Sequence, residues 1–229
     1  GPVIMNAVGV HDLPTAVGGP LRVDSQQIAL RLNPSRLSSA LLSDPAAHVP
    51  PTLRLFDHRG NTAHATYLTE NSDRLAFEAM TCTGAAAVLD GPFVDSPAPQ
   101  CVDPSASIDD DQVAQFDAVL TDGGVARLAA LPHLDCARTV RVETRAVIAA
   151  LEHAAGLGMT VTFATAAPGC IQMRQDRLDG AREHRGQMVL ASGSTRVMIN
   201  FDLVGECWVT WPRGVWDRTG SVSYTHLTL

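Results

Sequence analysis

Residues 186–208 repeat residues 19–41 without a gap, displaced by 167 positions. A chain that carries one β pattern twice is constrained to build two related sheets, because each copy has the same apolar face to bury. Gly19, Leu21, Val23, Ser25, Leu30, Leu32, Asn33 and Leu41 fall opposite Gly186, Met188, Leu190, Ser192, Val197, Ile199, Asn200 and Trp208. Most of this agreement is apolar for apolar at period two, which two unrelated amphipathic strands also share. The flanks add to it. Val3-Ile4-Met5 stands opposite Cys170-Ile171-Gln172 at the same displacement, and Thr52–Asp57 opposite Ser221–His226 after a shift of two.

Equivalent copies should share what surrounds them. Thr62–Leu68 and a helix around Ser72–Met80 follow the first copy, but the sequence reaches Leu229 before repeating them. A helix, Val142–Leu157, and a strand, Met159–Thr165, precede the second copy and have no counterpart before Gly1. Two related antiparallel units are expected, the first incomplete. Gly1-Pro2 reads as the remnant of a protease cut, and Ser223–Leu229 as either a terminal strand or a foreign tail.

With 229 residues, 45% of them hydrophobic, the chain can bury the core of one large domain or two small ones. No apolar run approaches the roughly 20 residues of a membrane span, and Gly1–Leu13 shows no basic-then-apolar leader, so a cytoplasmic protein is expected. Cys82, Cys101, Cys136, Cys170 and Cys207 are odd in number, widely spaced and without a CxxC, which argues against a disulfide framework and a zinc knuckle. The sequence has no lysine, so Schiff-base, P-loop and lysine-base chemistry are excluded, and anionic groups must be held by arginine. A net charge of −7 argues against a nucleic-acid partner.

Between Pro20 and Leu68 the segments Leu21–Val23, Ile28–Leu32, Leu37–Leu42, Thr52–Phe56 and Ala63–Leu68 read as an antiparallel meander, with a hairpin turn at Asp57–Asn61. Thr83–Asp110, with four prolines, reads as a linker. It divides a β-rich half, 1–82, from a helical and β half, 111–229. Asp109-Asp110-Asp111 caps a helix over Gln112–Leu120, Val125–Leu131 begins another, and Val142–Gly156 is an amphipathic helix. Strands then follow at Thr160–Ala164, Cys170–Arg174, Gln187–Ala191, Arg196–Phe201, Glu206–Trp211 and Ser221–Leu227. Grouped strands and grouped helices without strict alternation indicate an α+β fold.

Gly169-Cys170-Ile171-Gln172, followed by strands to Glu206-Cys207-Trp208-Val209-Thr210, resembles the HemS/ChuS/HmuS family of cytoplasmic haem-handling proteins. Leu55–His64 resembles the hairpin of that family, Asp73…Phe77-Glu78-Ala79 the helix after it, and Val125-Ala126-Arg127 with Ala130 a later segment. The similarity runs from about Gly9 to about Thr210, and the family also has an internal duplication. It implies paired antiparallel sheets holding one haem between the halves. Haem there is gripped by a proximal histidine on the helix opening the second half, by a distal arginine from the first half, and by basic or aromatic residues on the last strands.

Through this resemblance Arg31 matches the distal arginine, where a guanidinium can donate to an iron-bound ligand. From the residues alone, a surface arginine on a half-exposed strand is the competing reading. Counting back from Arg127, a second cofactor-binding candidate, the proximal histidine should stand at Ala114, whose methyl group cannot ligate iron. Arg213 and Arg218 are the candidates for propionate, although Trp211-Pro212 replaces the usual basic pair. His58, His64, His133 and His153 read as surface or capped histidines, His11, His48 and His184 have no assigned role, and Tyr224 and His226 depend on the tail. Trp208, Trp211 and Trp216 read as core residues before stacking walls. Three functions are weighed: a haem carrier or buffer, a haem-degrading enzyme, and a structural or regulatory module of the same fold without haem. Ala114 counts most against the enzyme. An edge strand left open by an incomplete unit favours a homodimer.

Overall fold

The computed structural model of the chain describes residues 2–20, 27–82, 112–122, 129, 131–133, 139–185, 187–210 and 224–228. In chain order the first seven strands are β1 (Val3–Ala7), β2 (Val10–His11), β3 (Thr15–Ala16), β4 (Gln27–Leu32), β5 (Leu37–Ser43), β6 (Thr52–Asp57) and β7 (Thr62–Tyr67). Two helices follow, α1 (Arg74–Cys82) and α2 (Gln112–Asp122). Then come β8 (Thr139–Val142), α3 (Thr144–Gly156), β9 (Thr160–Ala167), β10 (Cys170–Arg177) and β11 (Gly180–His184). The last strands are β12 (Gln187–Ser192), β13 (Thr195–Asn200), β14 (Glu206–Thr210) and β15 (Tyr224–Thr228). This is a mixed α+β fold, as expected.

Four sheets are present among the described residues, with strand orders β1-β13-β12-β11, β2-β4-β10-β9, β5-β6-β7 and β15-β14-β8. The first two each mix strands from both sides of residues 83–110. The expected meander is therefore corrected at β4, which pairs antiparallel with β10 and parallel with β2 and β3, and does not pair with β5. The reason is burial: Ile28 to Leu32 are buried on both faces, and such a strand belongs in the middle of a sheet. Asn33 then caps a short 3₁₀ turn, Pro34–Arg36, that carries the chain out of this sheet and into β5.

The two crossing pairings share one arithmetic. Val3, Ile4, Met5 and Asn6 stand opposite Ile199, Met198, Val197 and Arg196, while Cys170, Ile171, Gln172 and Met173 stand opposite Leu32, Arg31, Leu30 and Ala29. Every residue of the second set is 167 positions from its counterpart in the first. The same displacement relates the bonds Asn200 N–H to Pro2 O (2.7 Å) and Asn33 N–H to Gly169 O (2.9 Å). It also relates the two asparagine-capped turns, Pro34–Arg36 and Phe201–Leu203. Gly169 itself sits at φ +79°, where a Cβ would come within 3.0 Å of the Leu37 side chain.

Three apolar clusters hold these layers. Ile28, Leu30, Leu32 and Cys170 meet Leu37 and Leu55 of the β5-β6-β7 sheet. On the opposite face of β4 and β10, Ala29, Ile171 and Met173 receive Leu120, Phe116 and Val119 of α2. Leu178, Met188, Leu190, Val197 and Ile199 pack under Ile148, Leu151 and Ala155 of α3. Fully burying one such side chain is worth about 1.5–3 kcal/mol.

Other expectations move by a few residues. The helix expected over Val142–Gly156 begins two residues later, at Thr144, because Val142 closes the strand Thr139-Val140-Arg141-Val142 that pairs with β14. The tail forms β15 against β14. Its register sets Thr228 opposite Glu206 as Phe56 is opposite Ser39, which replaces the proposed match of Thr52–Asp57 with Ser221–His226. Leu21–Val23 and most of Val125–Leu131 lie outside the described residues. Among the described residues, no helix is long and apolar enough to cross a membrane.

Candidate functional site

The junction of α2 with β4 holds a buried, fully hydrogen-bonded arginine. Arg31 alternates with Leu30 and Leu32 on β4, so its side chain faces α2 on the side of Ala29 and is fully buried. Nε donates to Asp117 Oδ1 at 2.6 Å and Nη2 to Asp117 Oδ2 at 2.9 Å, a bidentate pair. Nη2 also donates to Gly19 O at 3.0 Å, and Nη1 to Pro20 O at 3.3 Å and Thr15 Oγ1 at 3.4 Å. A guanidinium has five N–H groups, and here each has an acceptor. Asp117 in turn accepts the Gly18 N–H at 2.9 Å. Two further side chains close the end of the helix: Asn33 Nδ2 donates to Leu120 O at 3.3 Å, and Arg36 Nη2 donates to Thr121 O.

The surface-arginine reading of Arg31 is thereby overturned. Asp117 occupies two of the donors that an iron-bound ligand could use. Ala114 stands one turn before Asp117 on the same flank of α2, partly buried, and brings no donor atom. Arg127, Arg213 and Arg218 lie outside the described residues.

A second polar pair was not anticipated. His11 of β2 is in register with Ile28, so it shares the face of β4 opposite to Arg31. Its ring centre lies 5.8 Å from that of His64 on β7, with the planes at 87°. Burial lowers the pKa of His11, and burial together with the charge of His11 brings His64 down to about 4. His64 Nε2 is 3.0 Å from Thr66 Oγ1, whereas His11 Nδ1 is buried without a hydrogen-bond partner. Sequence reading made His64 a surface or capped histidine and gave His11 no role. No local signal could have joined them, because β2 reaches β7 only through the stacking of two sheets.

His58 Nε2 is held 2.9 Å from Ser35 O. In the Asp57 hairpin turn, burial works against the carboxylate. The Asn61 side-chain amide, the backbone N–H groups of Asn61 and Arg59 and the Arg59 charge outweigh it and hold the pKa below the usual value. A cavity of about 560 Å³ opens between β8, the start of α3 and β14, lined by Arg141, Arg145, Thr144, Glu143, Glu206 and Cys207. One of its arginines is paired: Arg141 Nη2 is 3.2 Å from Glu206 Oε1. Trp208 is a core residue whose indole N–H donates to Glu206 Oε2 at 2.9 Å.

No protein-family model and no curated protein matches the chain. Solved structures do. The heme degrading enzyme ChuS of Escherichia coli O157:H7 is 19% identical with a TM-score of 0.66, over 89% of this chain and 62% of ChuS. ChuS described as an E. coli heme oxygenase gives 18% and 0.67, over 90% and 63%. The heme-binding protein PhuS of Pseudomonas aeruginosa in its holo form gives 20% and 0.63, over 88% and 61%. This chain thus spans less than two thirds of the proteins it matches. Over about nine tenths of its length, the chain has the fold of ChuS and PhuS.

Proposed function

We propose that the chain binds haem and carries it in the cytoplasm, releasing the porphyrin intact. The observation behind this reading is the likeness to a heme-binding PhuS and a heme degrading ChuS over about nine tenths of the chain. Fold alone does not decide function, so the site must be weighed too. At the α2–β4 junction the described residues do not fit an axially ligated haem, because Ala114 has no ligand atom and Arg31 is bound to Asp117. Ring opening requires ligated iron with an open distal position, and carriage does not. That difference favours carrier over enzyme.

Arg31, with Arg127, Arg213 and Arg218, remains the proposed contact set for haem. Arg31 reaches a haem or its ligand only by exchanging Asp117 for it. Asp117→Asn, which loosens the hold, should therefore strengthen haemin binding, and Arg31→Ala should weaken it. Haemin added to the pure protein should co-elute with it on gel filtration. Ascorbate or peroxide should leave the complex intact, and a bile-pigment product would favour the enzyme instead. A second reading, the same scaffold without haem, is favoured by the closed Arg31–Asp117 pair. It prevails if haemin never co-elutes.

The finer architecture belongs to the same proposal. Residues 1–82 and 111–229, joined by 83–110, form two related antiparallel units that exchange strands, supported by the displacement of 167 in sequence, strand register and capped turns alike. β5, which among the described residues pairs only with β6, offers the edge through which a homodimer would form.

A further inference from the structure

We propose that His11 and His64 form a low-coordinate transition-metal site, suited to copper(I), where the β2-β4-β10-β9 sheet meets the β5-β6-β7 sheet. Three observations carry it. First, the geometry fits: metal–nitrogen bonds of about 2.0 Å set the centres of two imidazoles on one ion roughly 5–6.5 Å apart, and these rings are 5.8 Å apart. Second, His11 Nδ1 is buried with no hydrogen-bond partner, and a buried bare nitrogen calls for an explanation. Third, the Thr66 hydroxyl sits 3.0 Å from His64 Nε2. When it accepts from Nε2–H, the His64 Nδ1 lone pair is left free, the arrangement usual for a histidine ligand.

The surroundings select the ion. Among the described residues no third His, Cys, Asp or Glu joins the pair to make a metal-holding group. A divalent ion would be left with uncompensated charge in a partly apolar site, beside Ala63 and the Ile28 cluster. A singly charged ion content with two imidazoles avoids this. The site lies across β4 from Arg31 and is independent of the haem reading.

The test uses the whole chain with its accessible thiols alkylated, titrated anaerobically with copper(I) against a chromophoric copper(I) chelator. One equivalent should be retained by the parent protein and lost, at least tenfold weaker, in His11→Phe and in His64→Phe. Phenylalanine preserves the ring contact, so a purely structural pair would leave both variants identical to the parent in copper uptake. A second readout needs no variant: long-range ¹H–¹⁵N spectra of the parent chain should show two imidazoles shifting together on copper addition. Retention unchanged by either substitution, or no imidazole shift, overturns the proposal.

Discussion

Arg31 and Asp117 are 86 residues apart in the chain and form a bidentate ion pair with the guanidinium fully buried. Removing one member of such a pair strands the other, at a cost of about 3–5 kcal/mol. Arg31→Met should therefore lower the unfolding free energy by that order in urea denaturation. Met is the residue the second copy carries at the matching position, Met198. The double change Arg31→Met with Asp117→Leu should restore most of the loss, since apolar replacement of both partners is often neutral or better. Loss in the double variant as large as in the single one would refute the pairing. His64 adds a pH term. Its folded pKa of about 4 lies below the ordinary 6.5, so the unfolded chain takes up the proton first. Stability from this source is complete above pH 6.5 and falls between 6.5 and 4, by on the order of 3 kcal/mol. In His64→Phe that slope should shrink in a pH series of denaturation midpoints, leaving the smaller part due to His11. Arg31 could be singled out from sequence through family likeness, but its partner could not, because nothing local in β4 names a residue on a helix 86 positions away.

At the scale of elements, alternating apolar residues made most strands legible, and the Asp57–Asn61 turn was readable from its Asp-x-x-Gly-Asn chemistry. Partners were not legible, since β4 and β5 both alternate and only burial on both faces sends β4 to β10. The helix at 142–156 was read two residues too long because Val142 suits a strand edge as well as a helix face. The paired caps give a differential prediction. Asn33 and Asn200 both accept a backbone N–H in their 3₁₀ turns, but Asn33 also donates to Leu120 O at the end of α2. A lost cap typically costs about 1 kcal/mol. Asn33→Ala should cost about twice as much as Asn200→Ala in thermal or urea unfolding, and equal costs would remove Asn33 from the docking of α2.

At the scale of the whole molecule, the strand pairs β1–β13 and β4–β10 cross from one side of residues 83–110 to the other. Segments 1–82 and 111–229 expressed together as separate chains should therefore co-purify as one particle, and separate elution would contradict the crossed pairing. The displacement of 167 was visible in sequence, but not that β1 pairs with β13 and β4 with β10, because register depends on contacts that sequence similarity does not encode. Haem carriage is the claim on which the functional account rests. Its most direct test is an absorption titration of the intact chain with haemin at neutral pH. The account predicts a Soret band displaced from that of free haemin and saturating at one haemin per chain; a free-haemin spectrum at every ratio would contradict it.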